Sequence, residues 1–159
     1  MTADASGDSG EPFSFGAGPF LAGELRVTSF VGREALDQPF SFDVMVSFSG
    51  AEDEAAFEEA VLGERAWLRI EQGGGPRVLG GIAVRVATAS AHTLGRSFRI
   101  RLDADLRRLE KRRTTRIFQE LTLIDIVGTV LGEHRVAHRF ALARDYPQRS
   151  YVNPRPCPS

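Results

Sequence analysis

His134 and His138, four residues apart, have the spacing that lets two imidazoles grip a divalent metal from one helix face. Zinc hydrolysis at such a pair needs a glutamate beside the first histidine as general base, and Arg135 stands there instead. The pair also falls where helical spacing gives way to alternation, which turns the rings apart, so the expectation is an ordinary surface or partly buried role. His92, in Ser90-Ala91-His92-Thr93, reads as part of a hairpin loop, and neither Ser90 nor Ser97 stands in a nucleophile elbow. Asp103 and Asp105 could be paired acids, yet Arg101, Arg107 and Arg108 crowd them, which predicts a solvated charge cluster. The runs Gly73-Gly74-Gly75 and Gly80-Gly81 lack phosphate-loop spacing and read as a tight turn and a strand bend. Cys157 is the single cysteine, so the chain has neither an internal bridge nor a Cys/His zinc set. The expectation is a protein with no catalytic set, no cofactor and no metal. A small hydrolase is the enzyme-class alternative, and no nucleophile–base pair can be named for it.

The densest charge is a basic segment of Arg107, Arg108, Lys111, Arg112, Arg113 and Arg116, a candidate partner-binding surface. If helical, positions 107, 108, 111 and 112 share a face. No aromatics interleave for base stacking and no nucleic-acid motif frames the run, so a solvated face or protein interface is favoured over nucleic acid. Charge is divided along the chain: 14 acidic and 4 basic residues through Pro76, then 7 acidic and 16 basic from Arg77, or −10 against +9. Such a chain can pair head to tail with its own copies or offer a basic face to an acidic partner. Of the 20 basic residues all but Lys111 are arginine, which reflects a GC-rich genome as easily as a need for bidentate contacts.

With 159 residues, 42% hydrophobic and 26% charged, the chain suits one globular domain with a real core. Residues 1–19 read as a flexible N-terminal tail with an extended lead-in, 20–151 as the folded domain, and 152–159 as an irregular proline-rich end. Strands are expected at Glu24–Phe30, Phe40–Phe48, Arg65–Glu71, Arg77–Ala87 and Arg96–Asp103, with a further one at Val136–Leu142. Phe40, Phe42, Val44, Val46 and Phe48 form the clearest apolar face. In the Arg77 strand, Val78, Ile82, Val84 and Val86 are expected to point inward, and Gly32 reads as a turn. Asp53 can cap a helix through Leu62 that closes at Gly63, and Thr122 with Asp125 forms a capping-box-like pair before a helix to Leu131. Leu106 and Leu109 suggest a short helix or irregular turn. These elements predict a mainly β (α+β) fold: an antiparallel β-barrel-like domain with two or three short helices, incomplete because the chain stops mid-fold. No apolar window is long enough for a spanning helix and the acidic start lacks a signal peptide's features, so a cytoplasmic protein without a membrane anchor is expected.

Several segments in order are familiar. Leu25-Arg26-Val27-Thr28-Ser29-Phe30, Gly32-Arg33-Glu34-Ala35-Leu36, Gln38-Pro39-Phe40-Ser41-Phe42 and Leu62-Gly63 resemble the opening of VgrG proteins, the spike-tip family of the type VI secretion system. Gly80-Gly81-Ile82 with Val86, then Arg113-Thr114-Thr115-Arg116-Ile117-Phe118-Gln119, and finally Tyr146-Pro147 with Arg149 and Tyr151 continue the likeness. It covers roughly Phe20 to Tyr151. The resemblance implies a hub-like β domain, similar to the baseplate hub of contractile phage tails, that trimerises and docks on a tube of Hcp rings. It also implies effectors as cargo and export through the contractile apparatus. Family members continue well beyond this length, so the resemblance implies a truncated, frame-shifted or deliberately short form. A stand-alone adaptor module and a phage tail hub fragment are the alternatives.

Overall fold

A computed structural model of the chain describes residues 12–51, 53–92, 95–110 and 116–152. It divides into two units, Met1–Asp105 and Leu106–Ser159.

In the first unit, alternation of apolar and polar side chains, interrupted by bulges, builds strands with one buried face. The strands are β1 (Phe13–Ala17), β2 (Leu25–Ala35), β3 (Gln38–Phe48), β4 (Arg65–Ile70), β5 (Arg77–His92) and β6 (Gly95–Asp103). They form one antiparallel sheet in the order β1-β4-β5-β6-β3-β2. Its two edge strands share no ladder among the described residues, yet Phe13 of β1 and Phe30 of β2 meet edge to face with ring centroids 5.0 Å apart. The sheet has therefore curled almost into a barrel, leaving an unpaired seam: the incomplete barrel that the strand pattern predicts. At one mouth Arg77 of β5 pairs with Glu34 of β2 at 2.5 Å, tying two strands that are not neighbours in the sheet.

Helix α1 (Glu54–Val61) stoppers the barrel. Asp53 caps it, accepting a hydrogen bond from the Ala56 N–H at 2.8 Å, and Gly63 at φ +83 lets the chain turn away afterwards. Phe57 stacks on Phe98 at 4.0 Å and lies against Phe48 and Phe20 at 4.9 and 5.0 Å. Each such buried side chain contributes about 1.5–3 kcal/mol, so this aromatic cluster is a principal source of stability. Phe15, Val44, Val46, Leu68, Ile100 and Leu102 are among the residues that extend the core.

Four expectations need correction. β1 falls inside the segment read as a tail: Phe15 and Ala17 are buried and the strand pairs with β4, so ordered sheet begins at Phe13 rather than near Phe20. Gly32 is not a turn. It lies within β2 opposite Phe42, whose ring a Cβ would approach to 2.0 Å, and the chain turns at Leu36-Asp37. In β5, Leu79, Ile82, Ala83 and Val86 are buried while Val78 and Val84 are exposed. A bulge explains the exposure of Val78 and Val84, because Ala83 pairs with Leu102 and Arg85 with Arg101, leaving Val84 as the extra residue that flips the inward parity, while Ile82 is buried outside the barrel core. Finally, 136–142 forms no strand. The alternation is there, but no neighbouring strand pairs with it among the described residues.

The second unit holds α2 (Arg107–Glu110) and α3 (Leu123–Glu133). The capping box is complete: Asp125 N–H donates to Thr122 Oγ1 at 3.1 Å, and Thr122 N–H donates to Asp125 Oδ2 at 3.1 Å. The Thr122 hydroxyl also donates to Asp125 Oδ2 at 2.6 Å, and this bond first, with the Thr122 N–H second, holds the Asp125 carboxyl below its ordinary value. Two isolated antiparallel bridges, Phe118 with Val152 and Leu121 with Arg149, tie the ends of the unit together. The rings of Phe140 and His138 lie over Gly128, where a Cβ would stand 3.6 Å from Phe140.

Candidate partner interface

Of the six basic residues singled out in the sequence, Arg107, Arg108 and Arg116 are described, while Lys111, Arg112 and Arg113 lie outside the described residues. Arg107 on α2 pairs with Glu110, Nη1 to Oε2 at 3.6 Å, and Arg116 pairs with Glu133 of α3 at 2.5 Å. Arg108 is exposed. Two of the three thus have acidic neighbours within their own unit, which lowers the pull of that surface on an external anion.

The other candidates are held in structural roles. His134 is the C-cap of α3, and His138 places Nδ1 2.9 Å from the Val136 carbonyl with its ring against Phe140. Among the described residues no three metal-ligating side chains gather. Asp103 takes Arg101 Nε at 3.2 Å and Asp105 takes Arg65 Nη1 at 3.3 Å, so both carboxylates belong to ion pairs. The side chains of Ser90 and His92, and Cys157, lie outside the described residues.

Two surfaces escape a reading based on sequence clusters. One is the outer edge of β2, eleven residues long, whose backbone groups face no strand among the described residues and whose Val31 is 77% exposed. Such an edge is competent to pair with another chain. The other is the outward wall of β3, β6 and β5, where alternation places Arg99, Arg101 and Arg85 on one side. The strand pattern already turns Arg85, Arg99 and Arg101 outward, but that Arg85 stands opposite Arg101 depends on the register of β5 with β6. No helix among the described residues is long and apolar enough to cross a membrane.

The first unit is thus an antiparallel near-barrel stoppered by a helix, with an open edge along β2. Residues 33–153 match the phage tail baseplate hub (GPD) family, most of the chain. The chain belongs to that family. Its relatives in Pseudomonas aeruginosa include the type VI secretion system spike protein VgrG4b, 32% identical over 136 residues, and the spike protein VgrG5, 30% identical over 135. Each alignment covers 82% of this chain and 16% of the relative, so the hub-family chain spans about a sixth of the length of the curated proteins it matches. Among solved structures it is similar to the E. coli c3393 protein, with a TM-score of 0.65 and 27% identity over 81% of this chain and 36% of that one. That protein is described as a component of the type VI secretion system with structural similarity to the T4 bacteriophage tail proteins gp27 and gp5. The VgrG-like resemblance read from the ordered motifs is therefore upheld, with relatives named as secretion-system spike proteins and a family named for the phage tail baseplate hub.

Proposed function

We propose that this chain is a structural element of a contractile injection apparatus, forming hub-like barrel material at the base of a VgrG-like spike. The observation that carries this reading is the hub-family match across 33–153, laid on a near-closed antiparallel barrel of the kind that structural neighbours share. In that role three copies assemble into a ring that seats on a tube of Hcp-like protein. Effectors are carried forward, and the chain leaves the cytoplasm through the apparatus. The exposed edge of β2 and the outer wall of the barrel suit assembly better than solitary existence, because an uncovered edge invites pairing.

Three measurements test this. The purified full chain, mixed with the Hcp-like protein of the same genome, is expected to sediment with the Hcp rings, and light scattering of the chain alone should give three times its 17.4 kDa mass. Deleting its coding sequence should abolish release of the tube protein into the medium. Unchanged release together with a monomeric chain that ignores Hcp would overturn the proposal. The family's phage name favours a second reading, a tail hub fragment. Under that reading, deletion leaves tube-protein release intact and removes tails from particles in the culture supernatant.

A further inference from the structure

Two surfaces of the first unit carry charge that their surroundings leave uncompensated, and they are opposite in sign. On the outer wall, Arg85 of β5 stands directly opposite Arg101 of β6, and Arg99 lies one outward position along β6, between Met45 and Ala87. Like charges directly opposite each other destabilise a ladder. Asp103 holds Arg101, which Asp43 also faces across the β3–β6 ladder. Arg85 and Arg99 are exposed and have no hydrogen bond or ion pair among the described residues. The floor between them is low, since Met45 and Ala87 are half-buried, so a partner can approach closely.

The second surface is α1. Glu54 and Glu58 lie one turn apart, a like-charge spacing that weakens a helix, and Glu58 and Glu59 occupy its last turns with no basic residue to offset the negative end of the dipole. Glu54 accepts a hydrogen bond from Thr88 Oγ1 at 2.9 Å, whereas Glu58 and Glu59 are exposed and have no partner among the described residues. Because Phe57 and Val61 of the same helix are buried, these glutamates face away from the barrel interior. The arginines face out from its wall.

We propose that these surfaces meet between copies, the Arg85–Arg99 wall of one chain receiving the Glu58–Glu59 end of α1 from the next. This rests on the trimeric reading and names the faces that would make it. Guanidinium groups match carboxylates in bidentate geometry, and a contact between two different surfaces builds a ring when the rotation that repeats it is one third of a turn. Each side thereby relieves in the assembly a repulsion that it carries alone.

Light scattering of the full chain across ionic strength tests the pairing. Wild type is expected to be trimeric in low salt and to dissociate as exposed charges are screened. R85E/R99E and E58R/E59R should each be monomeric, and the four substitutions combined in one chain, which exchange the charges, should restore the trimer. R85Q separates this role from a fold defect: it should weaken association at least tenfold while raising the thermal midpoint of the dissociated chain by about 2 °C, since it removes the repulsion with Arg101. If wild type is trimeric and both double variants remain so, these faces are not the interface and the trimeric reading stands. If wild type is monomeric in every salt, both fall.

Discussion

A methyl group added at Gly32 would land 2.0 Å from the Phe42 ring, and because β2 and β3 are paired around this point neither backbone can retreat. Gly32→Ala is therefore expected to lower stability by about 1–3 kcal/mol, the usual cost of overpacking, read as a shift in the urea midpoint. Gly80→Ala provides the control, since a Cβ there meets nothing within 4 Å, and its midpoint should stay the same or rise slightly. Asp125 carries the clearest pH dependence. Its folded carboxyl is lowered by hydrogen bonds from the Thr122 hydroxyl and backbone, so its contribution is present above the unfolded carboxylate value and is lost as pH falls through the lower folded one. Thr122→Val should move the Asp125 titration, followed by NMR, back toward an ordinary carboxylate. An unmoved titration would mean that the hydroxyl is not the cause.

Helix α1 concentrates two separable contributions. Asp53→Ala removes one cap and should cost about 1 kcal/mol, whereas Phe57→Ala empties the centre of the aromatic cluster and should cost about 3–5 kcal/mol, both measurable by chemical unfolding. Elements whose signal is local were legible in the sequence: Phe42, Val44, Val46 and Phe48 alternate without interruption, and Asp53 and Thr122 announce their helices. Elements defined by a neighbour were not. Val78 and Val84 were placed inward because nothing in the sequence marks the bulge at Val84, which depends on pairing with β6. Phe13–Ala17 reads in the sequence as an extended lead-in ahead of the folded domain because serine and glycine dilute its pattern, and only pairing with β4 makes it sheet. The 136–142 segment shows the reverse, a strand pattern that lacks a partner. The same division holds for the candidate interface: the basic run was visible as a cluster, while Arg85 joins Arg99 and Arg101 only through register.

Across the whole chain the two units differ in how much they bury. The first contains the barrel core, whereas in the second Ile126 and Val136 are the only buried apolar side chains among the described residues, with Ile117, Leu123 and Phe140 exposed. A segment with so few buried apolar groups opens at low free-energy cost. Limited proteolysis should therefore cut first within 106–152, leaving a resistant fragment that ends near Asp105, and mass spectrometry of the first products would show it. Initial cleavage inside β3 or β6 would contradict the packing. The barrel itself has a further consequence. Phe57 seals one end, core side chains fill the middle, and the Glu34–Arg77 pair crosses the other mouth. The barrel of the described residues therefore offers no lumen, so a bore through any assembly of such chains would have to run between them, with its walls drawn from residues on the outside of each barrel.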